Sequence, residues 1–212
     1  MVIGLNVDTI IVNLDRALRA VGGAAQGSGR SFPAQNLPDA QLSEAQQHRS
    51  AGLMRVNHAG EVAAQALYHG QSLTARTART RDELEHAAIE EEDHLIWCRR
   101  RLGQLDAKPS LLNPVWYAGS FALGALAGLA GDRVNLGFVA ETERQVEAHL
   151  QDHLQRLPVD DARSRAIVEQ MKVDEAQHAS NAERSGAIAL PAPIKSLMGL
   201  AAKVMTGSAY WL

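Results

Sequence analysis

The sequence predicts an all-α protein centred on a four-helix bundle, with a long apolar crossover segment and an extra C-terminal helix. Three observations predict it. Aromatic residues make up only 4% of the chain while alanine is abundant, a mix that suits packed helices better than strands, which draw on aromatic and β-branched side chains. All seven prolines (33, 38, 109, 114, 158, 191 and 193) fall outside four long stretches of helical periodicity, and a proline costs about 3 kcal/mol inside a helix. Those stretches form two close pairs, separated by an uncharged run over 109–131.

At 212 residues the chain can bury a full core. Hydrophobic residues at 46% and charged residues at 21% are ordinary for a soluble domain. A net charge of −3 gives no basic surface, so no nucleic-acid partner is expected. The single cysteine, Cys98, excludes an internal disulfide and a cysteine-rich zinc site and fits a reducing compartment. It reads as a small buried apolar side chain.

Residues 1–42 read as an N-terminal segment and a flexible linker. The stretch 2–14 is interrupted by Asn6, Asp8 and Asn13 and lacks a basic start, unlike a secretory signal. An amphipathic segment is expected over 9–20, and the Gly, Ala, Ser, Gln and Pro content of 22–40 predicts the linker. The bundle is expected over 43–186. Its first helix opens on a capping box, Ser43-Glu44-Ala45-Gln46, and ends near Gly70. A second box, Thr80-Arg81-Asp82-Glu83, predicts a helix that ends at Gly103. The third runs from near Asp132 to before Pro158, and the fourth from near Asp160 to Gly186. Two close pairs joined by one long crossover is the connectivity of ferritin-like bundles. Residues 187–212 complete the chain with an amphipathic helix, striped by Ile194, Leu197, Met198, Ala201 and Val204.

The chemistry lies in a repeated pattern. Glu90-Glu91-Glu92-Asp93-His94 and Asp174-Glu175-Ala176-Gln177-His178 each hold a Glu-x-x-His with an acid just before the glutamate. Positions i and i+3 share a helix face, so the pair can grip one ion. The first helix offers Glu61, 30 residues before Glu91, and the third offers Glu143, 32 before Glu175. Four carboxylates and two neutral imidazoles carry a charge of −4, which two divalent ions balance. Oxygen and imidazole donors suit iron(II) or manganese(II). Helical phase places Glu91, Glu143 and Glu175 on apolar stripes. The Glu61 face (Met54, His58, Ala64, Gln65, Tyr68) is more mixed. Glu141 shares its face with Arg144, Gln145 and Ala148 and is rejected as a ligand.

A metal-bound histidine needs a partner for its other nitrogen. Asp174 is expected to hold His94, and Glu90 to hold His178, across the bundle. Tyr68 is a further candidate beside the ligands. His149 is the candidate catalytic residue, next to the ligands or against substrate. His58 is expected near the metal, and His48, His69, His86 and His153 at the surface.

Arg55-Val56-Asn57-His58-Ala59-Gly60-Glu61, followed by Leu67-Tyr68-His69-Gly70-Gln71 and the two Glu-x-x-His segments, resembles the signature of the demethoxyubiquinone hydroxylases of ubiquinone biosynthesis, in their bacterial branch. The similarity covers roughly 45–185 and is loosest over 143–149. The resemblance implies two iron ions per chain, with manganese less favoured, held by Glu61, Glu91, His94, Glu143, Glu175 and His178. It implies a monooxygenase that uses O2 to hydroxylate the ring of a 2-polyprenyl-3-methyl-6-methoxy-1,4-benzoquinol. A homo-oligomer or other ubiquinone-biosynthesis proteins are the partners it allows.

A manganese catalase or another ferritin-like di-metal oxidase shares the ligand set and is the alternative. A ferritin-like iron store normally lacks the second Glu-x-x-His. A ribonucleotide-reductase subunit needs a tyrosine one turn past its first ligand histidine, where this chain has Cys98.

By length alone, 111–130 could cross a bilayer. A single crossing would put Glu61 and Glu91 on the opposite side from Glu143 and Glu175, so a shared site excludes it. The run is therefore expected to pack on the bundle or lie in one leaflet. A lipid-dissolved substrate favours peripheral binding at the cytoplasmic face of the bacterial inner membrane, with the run over the mouth of the site and the tail helix as a second contact.

Overall fold

The computed structural model describes residues 7–212; the part of the 2–14 stretch before Val7 lies outside the described residues. The described residues form seven helices and no strand: α1 (Val7–Gly22), α2 (Glu44–Thr74), α3 (Ala78–Gln104), α4 (Asn113–Leu129), α5 (Asp132–Arg156), α6 (Ala162–Arg184) and α7 (Ala192–Ala209). Helices α2, α3, α5 and α6 make the bundle. Its two hairpins, α2–α3 and α5–α6, are joined through α4, which packs along α2.

The expected box at Ser43 is present: Ser43 Oγ accepts from Gln46 N at 3.3 Å, and Gln46 Oε1 accepts from Ser43 N at 2.9 Å. The Thr80 box is not the start of α3. Thr77 caps that helix, its Oγ1 accepting from Thr80 N at 3.2 Å, because Asp132 takes the N–H groups of Arg76 and Thr77 and sets the turn. Asp161, not Asp160, caps α6, accepting from Ser164 N at 3.0 Å. The same carboxylate pairs with buried Arg101 at 2.8 Å and ties α3 to α6. Gly131 (φ 110°) and Gly186 (φ 103°) make the α4–α5 corner and the end of α6 in conformations that suit glycine.

The crossover run is mostly the helix α4, and small residues seat it. A Cβ at Gly70 would strike the carbonyl oxygen of Phe121, and one at Gly124 that of Leu67. Backbone thus lies on backbone, a contact only glycine permits. With α4 over one flank and α3 over another, α2 is buried on nearly every side. That is why its ligand face looked mixed: Met54, His58, Gln65 and Tyr68 are all buried. The outer face of α4 leaves Val115, Leu123, Leu126 and Leu129 exposed, and α1 and α7 also turn leucine and isoleucine side chains outward. Among the described residues, no helix is long and apolar enough to cross a membrane.

The segment 22–40 corrects the expectation of a flexible linker. It is a strap bound across α3. Gln26 and Gly27 donate backbone N–H groups to Glu92 at 2.9 Å each, and Ser28 N donates to Asp93 at 3.0 Å. Phe32 and Ala34 enter the core beside Leu53, Trp97, Leu102 and Met171, and Arg100 lies over the Phe32 ring. Composition suggested looseness; burial of Phe32 and Ala34 supplies what fixes the chain.

Candidate metal centre

Each bundle helix points a carboxylate inward: Glu61 from α2, Glu91 from α3, Glu143 from α5 and Glu175 from α6, with His94 and His178 one turn beyond the α3 and α6 glutamates. All six are buried. Donor atoms of Glu61, Glu91, His94 and Glu175 lie within 4.8 Å of one another. His178 Nδ1 is 2.8 Å from Glu91 Oε1 and 3.3 Å from Glu175 Oε2. His94 Nδ1 is 2.9 Å from Glu91 Oε2 and 3.2 Å from Glu175 Oε1. Glu143 stands at the edge, accepting from the Tyr68 hydroxyl at 2.6 Å.

Both imidazoles turn Nδ1 inward because Nε2 is engaged outside. His94 Nε2 meets Asp174 Oδ2 at 2.9 Å, and His178 Nε2 meets Glu90 Oε2 at 2.8 Å. The α3 histidine is held by an α6 acid and the α6 histidine by an α3 acid, the two cross-bundle contacts expected from the sequence.

The electrostatics describe a site built around positive charge. Burial, then the nearby charges of Glu91 and Glu175, push the Glu61 carboxyl well above its usual range. Burial and the same two neighbours raise Glu143. Burial also acts upward on Glu91, but His94 and His178 outweigh it and hold that carboxyl well below the usual range. Burial opposes protonation of both histidines, yet Glu91 and the surrounding acids raise them well above 6.5. The protein alone therefore neutralises the cluster with protons. Four converging carboxylates, two inward Nδ1 atoms and anchored outer nitrogens fit a cation that would take the protons' place.

Other candidates fall elsewhere. Glu141 is paired with Lys195 at 2.8 Å. His149 makes no hydrogen bond or ion pair with the six; its ring packs on His153 at a centroid distance of 4.0 Å. His58 is fully buried, with Nδ1 3.3 Å from the Asn113 amide. His48 and His86 are exposed as expected, but His69 and His153 are not: both are buried. Tyr117 on α4 covers His69 and bonds its Nδ1 at 2.8 Å, a contact that periodicity within one helix does not reveal. Cys98 is buried, 3.7 Å from the sulfur of Met171. Arg30, in the strap, contacts Asp174; nothing in a lone basic residue of a glycine-rich stretch signalled it.

A cavity of about 370 Å³ reaches the cluster. Tyr68, Glu90 and His178 line it together with Leu84, Leu136 and Val139, all from α2, α3, α5 and α6. No α4 residue lines it, so the crossover run does not cover this mouth; α4 lies against α2 instead.

Four helices presenting buried carboxylates and two anchored histidines define a ferritin-like carboxylate–histidine protein whose centre can hold metal. Within that class, the family described as "Ubiquinone biosynthesis protein COQ7" matches residues 48–209. The chain belongs to this family. It is 56% identical over 206 residues to a protein of Bordetella avium (strain 197N), covering 97% of this chain and 95% of that one. It is 58% identical over 206 residues to one from Cupriavidus pinatubonensis, covering 96% and 99%. A Nitrosomonas europaea relative is 56% identical over 208 residues, covering 98% and 100%. All three bear the name 3-demethoxyubiquinol 3-hydroxylase.

Proposed function

We propose that this protein is an O2-dependent di-iron monooxygenase that hydroxylates the ring of 3-demethoxyubiquinol in ubiquinone biosynthesis. The observation that carries the reading is the convergence of Glu61, Glu91, His94, Glu143, Glu175 and His178, with both histidines fixed from behind by Asp174 and Glu90. The names of the relatives supply the substrate. Two iron ions held by these six residues would supply O2 activation, one oxygen atom entering a ring C–H bond and the other leaving as water with two electrons from a reductant. Leu84, Leu136 and Val139 offer the quinol ring an apolar slot, and Tyr68 stands between that slot and Glu143. The bundle's burial of the six side chains keeps bulk water from the reacting centre.

A polyprenyl tail favours a site at the lipid surface. The exposed leucines of α4, with apolar faces on α1 and α7, support peripheral attachment to the cytoplasmic face of the inner membrane. Replacing Leu123 and Leu126 with Glu is expected to release the protein from vesicles while iron content stays intact; unchanged binding overturns the attachment.

The test of function is direct. Protein loaded with iron(II) is given a short-chain demethoxyquinol, a reductant and isotopically labelled O2. One labelled oxygen atom in the product ring is expected. Turnover of peroxide by the manganese-loaded protein, with no ring hydroxylation by the iron form, overturns the reading.

A further inference from the structure

We propose that Arg30, on the N-terminal strap, is a positioning residue for His94: it fixes the ligand's outer contact and the ring behind it. The inference rests on the metal reading above and goes beyond it. The matched family region begins at residue 48, so neither Arg30 nor the strap belongs to it.

Arg30 reaches His94 by two routes. Its guanidinium meets Asp174 Oδ2 at 2.6 Å, and the same oxygen faces His94 Nε2 at 2.9 Å. The other oxygen, Oδ1, accepts from Gln170 at 2.9 Å, so the carboxylate is held on both sides. The guanidinium also lies over the Trp97 ring, 5.0 Å from its centroid, and Trp97 in turn packs on the His94 ring at 5.3 Å. One side chain therefore buttresses both the acid that sets the His94 ring and the indole behind it.

The strap gives this side chain a fixed base. Glu92 and Asp93 bind it upstream, and burial of Phe32 and Ala34 anchors it downstream. Farther on, Leu37 O accepts from Arg163 at 2.9 Å, and Asp39 pairs with Arg101 at 3.0 Å. Charge supplies the reason for an arginine. Glu90 and Asp174 add two negative charges to the four of the inner carboxylates, beyond what two divalent ions balance. A guanidinium at 2.6 Å offsets part of that excess through a geometry a lysine does not reproduce. The two arms of the site are unequal: Glu90, behind His178, has only exposed His86 at 3.7 Å as its further ion-pair partner among the described residues.

The experiment measures iron release to a coloured chelator from the loaded full-length protein. Arg30→Ala is expected to speed release of iron by up to about 10-fold, the lower end of the effect of removing the outer contact to a ligand histidine, because Asp174 itself stays in place. Arg30→Lys should recover only part of the loss. Arg100→Ala, which removes the cation over Phe32 but leaves Arg30 on Asp174, should release iron as the unaltered protein does. Arg30→Gln replaces the alanine variant if the latter does not fold. Equal release by the Arg30 variants and the unaltered protein overturns the positioning role alone. So does equal acceleration by Arg30→Ala and Arg100→Ala, which makes strap docking the cause. Failure of the unaltered protein to bind iron overturns the metal reading and this inference together.

Discussion

Tyr68 on α2 donates its hydroxyl to Glu143 on α5 at 2.6 Å, spanning the bundle at the wall of the cavity. Burial, with Glu143 next, pushes the phenol well above 10, so it remains a donor at every physiological pH. Tyr68→Phe leaves a buried acceptor without its partner. The variant is expected to lose about 1–3 kcal/mol of stability in denaturant titrations.

Glu61 sets function against stability. Without metal, its carboxyl is crowded by burial, Glu91 and Glu175. Glu61→Gln supplies a neutral side chain and removes the cost of protonating a buried carboxyl when the chain folds at neutral pH. The metal-free variant is expected to melt a few degrees higher, about 2–4 °C per kcal/mol gained. It should also hold markedly less iron by elemental analysis. A metal-free variant less stable than the unaltered protein would contradict the electrostatic account.

Buried histidines away from the cluster set an acid limit. Burial holds His69 at about 3 and His153 at about 2, against 6.5 in an unfolded chain. Both are lowered, so the unfolded state binds protons first. Stability is therefore independent of these groups above about pH 6.5 and falls as pH drops below it, each adding a slope of up to about 1.4 kcal/mol per pH unit. His153→Leu removes one such group. Its stability relative to the unaltered protein should rise steadily between pH 6.5 and 4.

The α2–α4 seam tolerates no added volume. Gly124→Ala would drive a methyl group into the Leu67 carbonyl, and the backbone has no rotamer to yield. A loss of about 1–3 kcal/mol in chemical denaturation is expected. Gly119→Ala, where a methyl meets open space, is the control and should be neutral or slightly stabilising.

The four bundle helices were legible because proline placement bounds all of them, a capping box marks the start of the first, and apolar stripes run along the other three. The ligand candidates were legible because the two Glu-x-x-His segments and their preceding acids repeat, and those acids were the expected partners of the histidines' outer nitrogens. What escaped was set by pairing between distant elements. His69 looked like a surface residue until α4 brought Tyr117 over it, and the mixed face of α2 made sense only once α4 lay along it. The strap escaped because glycine, serine and proline describe a chain's freedom, whereas Phe32 and Ala34 find their partners far away in sequence. The start of α3 moved by one turn because its turn is set by Asp132, over fifty residues on.

The glycine seam also presses α2 and α4 together into a single plate. Glu61 projects from one side of that plate, Leu123 and Leu126 from the other. Whatever surface the leucines rest upon, the height of the carboxylate cluster above it is set by backbone thickness rather than by any adjustable side chain. The fold thus carries its own ruler, and a shift of α4 by the width of one methyl group would move the outer leucines relative to the centre.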